Sequence, residues 1–427
     1  MEKAWAAHQQ QLADTLTEKN SSPTLELGGR IHADYLAFPE TSPGIGFFEH
    51  PDPTAANFGV DPEDRFGFRR IRLEMEGDAL ATMYWRMQVD FAEPDETVIK
   101  DVYLGFRELP GDQRLQVGFQ KRPLGLDALN SSRFNVFLER PFNNDAFNED
   151  ARRLGLLIQG NPRDERYLWQ YGVYSLENFS ASGSYAGDAY QLSGNARLAS
   201  SPWYDEHSGG RNYFHWGLAG MIAQPDGDAD AADSNGNEAR FRARPEAHTG
   251  NRWVDTGDIA GAEWYEILAF ESMLNLGPLQ LVGEYHHTWL QRDVVGAAAP
   301  DLQFDGWYVY ANYVLTGEHI PYERSSGTIG RLEPHRNFGL IDRCYGGPGR
   351  GWGAWGVGIR YSMIDLNNED VLGGVGAAWT LAVNWYWTPY ARLQFNVVSG
   401  QIDDRAPVGG FTSGHYTILG TRAAIDF

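Results

Sequence analysis

Cysteine occurs once in the 427 residues, at Cys344, which rules out a disulfide framework and a cysteine-based zinc site. Lysine is almost as scarce: Lys3, Lys19, Lys100 and Lys121 are the only four, so 31 of the 35 basic residues are arginine. Long apolar runs are missing too. None approaches the roughly 20 residues that a membrane-spanning helix needs, and the mean hydropathy is −0.45. Basic charge is itself in deficit, with 57 acidic residues and a net charge of −22. That balance speaks against nucleic acid or anionic lipid as a partner. No secretory leader is visible at Met1, which leaves a cytosolic chain or numbering from a mature or trimmed end. What is abundant is aromatic surface, 13% of the chain with 14 Trp and 21 Tyr, enough to exclude disorder. The length fits two or three soluble domains or one large β-structure.

The arginine excess needs a place. Arginine keeps its charge in almost any environment and offers a planar fork that matches carboxylate and phosphate. Either the codon usage of a GC-rich genome supplied these residues, or they are gathered at a site.

Residues 1–22 differ from the rest. Trp5, Leu12 and Leu16 fall at heptad-like spacing, and Asn20-Ser21-Ser22-Pro23 stops the pattern, which predicts a short N-terminal helix, a candidate coiled-coil remnant. After Pro23 the period becomes 2. Met83, Trp85, Met87, Val89 and Phe91 alternate with Tyr84, Arg86, Gln88 and Asp90, and Trp379, Leu381, Val383, Trp385 and Trp387 alternate with polar or small partners. Counting such segments between 25 and 427 gives about sixteen strands. Short turns such as 77–80, 109–112, 277–278 and 388–390 mostly alternate with long loops at 39–64, 121–150, 224–260 and 400–413, with an exception at 318–351. A soluble sandwich has no reason to alternate its links. A transmembrane antiparallel β-barrel does, with tight turns at one rim and long loops at the other. The fold class is therefore all-β: a barrel over 23–427 with a third loop, 121–150, folded inward because Leu124, Leu126, Leu129, Phe134, Val136, Phe137 and Leu138 need cover.

Strand parity places charge in the lumen. In FGFRRIRLEME, Ile71, Leu73 and Met75 face lipid if Arg70, Arg72, Glu74 and Glu76 face water, with Arg69 near the rim. Arg30, Arg86 and Asp90 fall on polar faces nearby, and an inward third loop brings Lys121, Arg122 and Arg133 to a constriction, where a charged ring sets ion selectivity. Internal salt bridges bracing a polar interior are the plainer alternative. Arg240, Arg242 and Arg244 project to one side of an extended stretch and would pass an anion from one guanidinium to the next, unless they form a solvated loop.

Several signals are weaker. Asp226, Asp228 and Asp230 have the spacing of a calcium loop, but glycine is missing at the sharp turn and the closing Glu is out of register; a solvated acidic loop is the simpler reading and no metal site is expected. His286 and His287 point to opposite faces of a strand and cannot chelate one ion. No serine sits in a nucleophile elbow, Cys344 has no catalytic partner, and no enzyme or cofactor is expected.

These same residues carry a resemblance. FRRIRLEMEG, the run from VDFAEPDETVIK to RFNVFLER, RFRARPEAHTGNRWVDTGDI and LAVNWYWTPYARLQFN, in that order across nearly all of 24–427, resemble the phosphate-selective porin O and P family. The terminal segment, ending Ile425-Asp426-Phe427, looks like the final strand of bacterial outer-membrane barrels. The resemblance implies a sixteen-stranded homotrimeric porin in the outer membrane of a Gram-negative-type bacterium, both termini periplasmic. It implies a water-filled channel for small anions, with phosphate or polyphosphate as candidate solutes. By residue, Arg69 and Arg70 match the family's paired arginines, and Asp90 is a candidate for its constriction aspartate. Arg133 stands where phosphate-binding members have lysine, and Arg240, Arg242 and Arg244 match the arginine ladder. The departure is lysine: well-known members line the pore with several, and this barrel has only Lys100 and Lys121. The competing reading is a structural protein that tethers the outer membrane to the cell wall or surface layer through the N-terminal helix.

Overall fold

The computed structural model describes residues 23–93, 97–148, 151–177, 191–227, 239–293, 300–343 and 347–427. The expected N-terminal helix over 1–22, Cys344, and Asp228 and Asp230 of the candidate calcium loop lie outside them.

Sixteen antiparallel strands close into one barrel. They are β1 Glu26–Thr41, β2 Arg65–Leu80, β3 Met83–Asp90, β4 Val98–Leu109, β5 Gln113–Lys121, β6 Arg152–Gly160, β7 Tyr167–Ser175 and β8 Leu192–Tyr204. The second half is β9 Asn212–Ala223, β10 Ala262–Leu276, β11 Leu279–Arg292, β12 Leu302–Val314, β13 Ala354–Asn368, β14 Val371–Thr388, β15 Ala391–Arg405 and β16 Gly414–Asp426. Each strand pairs with its neighbours in the chain, and β1 closes the ring by pairing with β16, Arg30 opposite Asp426. A closed ring leaves no unpaired backbone edge, which is what a sheet in lipid requires. Several strands run past the segments read from the sequence: β15 reaches Arg405 rather than 399 because the ladder continues where Gln401, Asp403 and Asp404 break the apolar alternation.

The apolar face points outward. On β14, Trp379 and Leu381 are 53% and 52% exposed, whereas Thr380 and Asn384 are fully buried. A soluble sandwich would show the reverse, so this alternation decides for the membrane barrel.

Short links gather at one rim, where Gly29 N–H also donates to the Phe427 carbonyl (2.9 Å), and long loops gather at the other. The two exceptions are the seventh loop, only 369–370, and the sixth turn, which runs from 315 to 353. The lumen is filled on one side by three segments. After α1 Pro43–Glu49 of the first loop, the third loop (122–151) carries two short helices, α2 Leu126–Leu129 and α3 Phe142–Phe147. Its Leu124, Val136, Phe137, Phe142 and Phe147 are buried, each contributing roughly 1.5–3 kcal/mol. The inner wall makes room for it: a Cβ on Gly420 would lie 2.4 Å from Leu138 Cδ1. The fifth loop (224–261) adds Phe241 and Trp253 to the cluster that holds Leu124, Phe142 and Phe147. Glu49 of the first loop pins it, accepting from Gly250 N (2.7 Å) and Trp253 Nε1 (2.8 Å). From the opposite rim, the sixth turn inserts a hairpin pairing Tyr322–Glu323 with Thr328–Ile329. Tyr213 Oη donates to the Ile320 carbonyl (3.0 Å), Arg197 Nη2 donates to the Gly327 carbonyl (2.9 Å), and Ile329 N–H donates to Asn130 of the third loop (3.1 Å).

Candidate functional site

The open part of the lumen lies between this filling and the inner faces of β1–β7. A local irregularity shapes it. His32 pairs with Arg70 and Ala33 with Phe68, so Arg69 is an extra residue bulged out of the β1–β2 ladder. A bulge re-aims side chains, and here two consecutive arginines enter the lumen instead of one. Arg69 does not stay at the rim: its fork takes both oxygens of Glu139 on the third loop (2.8 and 3.1 Å). Arg70 lies 3.8 Å from the same carboxylate and 3.3 Å from His32 Nδ1. One turn of the ladder lower, Arg72 donates to Asp90 (2.6 Å) and Arg86 to Glu74 (3.0 Å). Arg30 reaches across to Ser132 Oγ at the tip of the third loop (2.9 Å). Lys121, at the end of β5, donates to the carbonyls of Leu129 and Asn130 (2.8 and 3.1 Å).

Together these groups surround a cavity of about 530 Å³. Seven of the expected residues line it: Arg30, Arg69, Arg70, Arg72, Arg86, Lys121 and Arg244. Four more cations were not singled out from the sequence, Lys100, Arg140, Arg152 and Arg252, against only Glu93, Asp101 and Asp145 as lining acids. Arg152 could not be found by parity, because Leu154 and Leu156 face outward on β6 and strict alternation puts Arg152 with them; at the first residue of the strand it instead turns in and forks onto Asp101 (2.9 and 2.8 Å). Arg140 and Arg252 sit in loops, where no period helps.

The other expected residues lie elsewhere. Asp90 is on the inner face but buried against Arg72 (2.6 Å), which lines the cavity in its place. Arg122 is buried under the third loop against Asn148 (3.1 Å). Arg133 pairs with Glu74 and approaches Asp426 (3.6 Å), lining a small recess near the short-turn rim with Arg331 and Arg392. On the fifth loop, Ala239, Phe241 and Ala243 are buried while the arginines between them share the other face. Arg240 is forked onto Asp255 (2.8 and 2.6 Å), Arg242 pairs its backbone with Asp255, and only Arg244 reaches the cavity. His286 and His287 do point to opposite faces: His286 is buried inside, and His287 packs on Trp289 outside.

Loop groups at the cavity respond to this charge. Burial opposes ionisation of Glu139, but Arg69, Arg70 and Arg422 more than offset it and hold the carboxyl well below its usual range. The field of Arg69, followed by burial, lowers the His248 imidazole to about 2. His248 is therefore neutral at any physiological pH, and acidifying from about pH 7 to 5 adds no charge at this imidazole. The corresponding stability runs with its sign reversed from a paired histidine. Neutral His248 favours the folded loop fully above its unfolded value of about 6.5, and that contribution fades as pH falls from there toward 2. An NMR titration in which the His248 ring signals move with a midpoint near pH 6.5 would contradict this placement.

The family model for phosphate-selective porin O and P matches residues 50–427. The chain belongs to that family. A protein of Caulobacter vibrioides is 27% identical over 377 residues, 84% of this chain and 68% of that one. Two solved structures share the fold. OmpT, an outer membrane protein of Vibrio cholerae in its trimer form, superposes with a TM-score of 0.54 at 10% identity, covering 95% of this chain and 100% of that chain. The outer membrane channel DcaP of Acinetobacter baumannii gives 0.54 at 12% identity, covering 95% and 98%. Family and fold agree with the outward apolar wall: this is a porin of the outer membrane.

Proposed function

We propose that the protein is a diffusion channel that prefers small anions, with phosphate or polyphosphate as candidate solutes. The observation that carries this reading is the imbalance around the cavity, eleven cationic side chains against three acidic ones on its lining. Some of that charge is spoken for, since Arg69, Arg72, Arg86 and Arg152 each hold a carboxylate. Lys121 and Arg244 instead donate to main-chain carbonyls, which leaves their charge uncancelled at contact distance. Selectivity follows the local potential at the narrow part of a channel, so the net −22 of the whole chain does not decide it. Acids in outer loops are screened within about 8 Å at physiological salt. A cavity of about 530 Å³ has room for an anion with much of its water, since a water occupies about 30 Å³. Such a site holds weakly enough to release, as conduction demands.

In this reading the long-loop rim faces the outside and the short-turn rim, with both chain ends, faces the periplasm. Three copies would associate through the apolar outer walls of β1 and β16, where Leu27, Ile31, Leu419 and Ile425 stand exposed. The segment 1–22 would lie on the periplasmic side, where contact with the cell wall is open to it.

Planar-bilayer recordings test the proposal. A conducting channel whose reversal potential in a KCl gradient follows chloride is the expected result, and one that follows potassium would refute the anion preference. A silent barrel would favour the tethering role instead. Native mass in mild detergent should give three copies.

A further inference from the structure

The third loop forms one wall of the cavity, and something must hold it at a fixed distance from β2–β6. Two adjacent inward positions of β11 touch both of its helices. Glu284 is buried, and its two oxygens accept separately from the backbone N–H groups of Leu126 (2.7 Å) and Asp127 (2.9 Å) at the start of α2. Tyr308 Oη, from the neighbouring strand, donates to the second oxygen (2.7 Å). His286, also fully buried, meets α3: its Nδ1 lies 2.9 Å from Asn143 Nδ2, and its ring stacks on Phe147. The approach at Glu284 is so close that the preceding loop residue must be small. Gly125 has φ +80, and a Cβ there would lie 2.8 Å from Glu284 Oε1 and 3.1 Å from His286 Nε2. Other contacts of the loop are with different strands, such as Asn384 Nδ2 donating to the Val136 carbonyl (3.0 Å).

We propose that Glu284, supported by His286, is the positioning residue that sets the third loop's stand-off from the opposite wall and so fixes the cross-section of the pore. Two main-chain donors need two acceptors. A carboxyl group supplies them at the required spacing, whereas a carboxamide accepts through one oxygen and turns an N–H toward the other donor. Each lost bond leaves a buried N–H without a partner. Released at this end, the loop can swing toward β2–β6, because the open cavity lies on that side of it.

The test is Glu284→Gln in a Cys344→Ser background, with a spin label at Leu129→Cys, the partly exposed residue of α2 that lines the cavity. The inference rests on the cavity being a pore, and the two readouts keep these failures apart. The label reports the loop, and the bilayer current reports the channel. The expected results are a more mobile label and a time-averaged conductance lowered at least about twofold by brief closures. Heat-modifiable migration on gels should show that the barrel is intact. A label as immobile as in the parent, with unchanged conductance, would overturn the assignment. No current in either protein, with a mobilised label, would leave Glu284 as the anchor and refute the pore. Should Glu284→Gln fail to form a barrel, Gly125→Ala crowds the same contact from the loop side and must mobilise the label by itself.

Discussion

Replacing Arg70, Lys121 and Arg244 together by glutamine lowers the chloride-to-potassium permeability ratio by roughly tenfold while the barrel still folds. These three are chosen because removing them strands no carboxylate. Lys121 and Arg244 donate to main-chain carbonyls, and Glu139 keeps Arg69 and Arg422 after Arg70 is gone. A unit charge about 7 Å from a permeating ion contributes ~0.6 kcal/mol in a water-like medium. Three such charges act with opposite sign on the two ions, which gives ~3.6 kcal/mol on the ratio before screening, and a Debye length of about 8 Å reduces this toward the ~1.4 kcal/mol that corresponds to tenfold. The contrasting variant is Arg240→Gln. Its guanidinium is already forked onto Asp255 and lies away from the cavity, so its loss should change the ratio by less than about twofold. Equal effects from the triple and the single variant would mean that charge anywhere on the loops governs the current.

The second large effect comes from the sixth turn. Replacing residues 319–333 by a short Gly/Ser tether removes the hairpin that blocks the short-turn end of the filled half. Conductance should rise at least about twofold, and the anion preference should fall with it, because ions then bypass the arginine wall. The barrel should survive. The wall under the hairpin is braced by its own pair, Arg197 Nη2 to Glu271 (2.5 Å), and His215 Nε2 lies 2.9 Å from the same carboxylate. A single-channel amplitude unchanged by the replacement would show that the hairpin stands clear of the ion path.

How far the sequence could be read follows from which interactions set each feature. The strands were legible because lipid and water impose opposite demands on successive residues, and Trp379, Thr380 and Leu381 record them directly. The lumenal arginines of regular ladders were legible for the same reason. Arg69 was not: parity assumes unbroken pairing, and the bulge opposite His32 and Ala33 breaks it. Arg133 illustrates a second limit. Its position depends on where the loop tip comes to rest against Glu74 and Asp426, which are far from it in sequence. Arg240 shows a third, since a period-2 array reveals the shared face but not Asp255 waiting opposite its first member. The length of 315–353 marked it as unusual, yet nothing in its composition says that it turns inward.

The pairing of β1 with β16 has a consequence for the order of events in assembly. It joins the two most distant parts of the sheet, and such long-range closure is slow because the chain's freedom is lost before the contact forms. Arg422, on β16, also carries part of the seat of the third loop: it donates to the Leu138 carbonyl (2.6 Å), to Asp34 (2.7 Å) and to Glu139 (2.8 Å). The inner lining is therefore incomplete until that seam closes. A sheet still open there has neither a sealed wall nor a seated loop, so one final step both closes the cylinder and gives its lumen a finished cross-section.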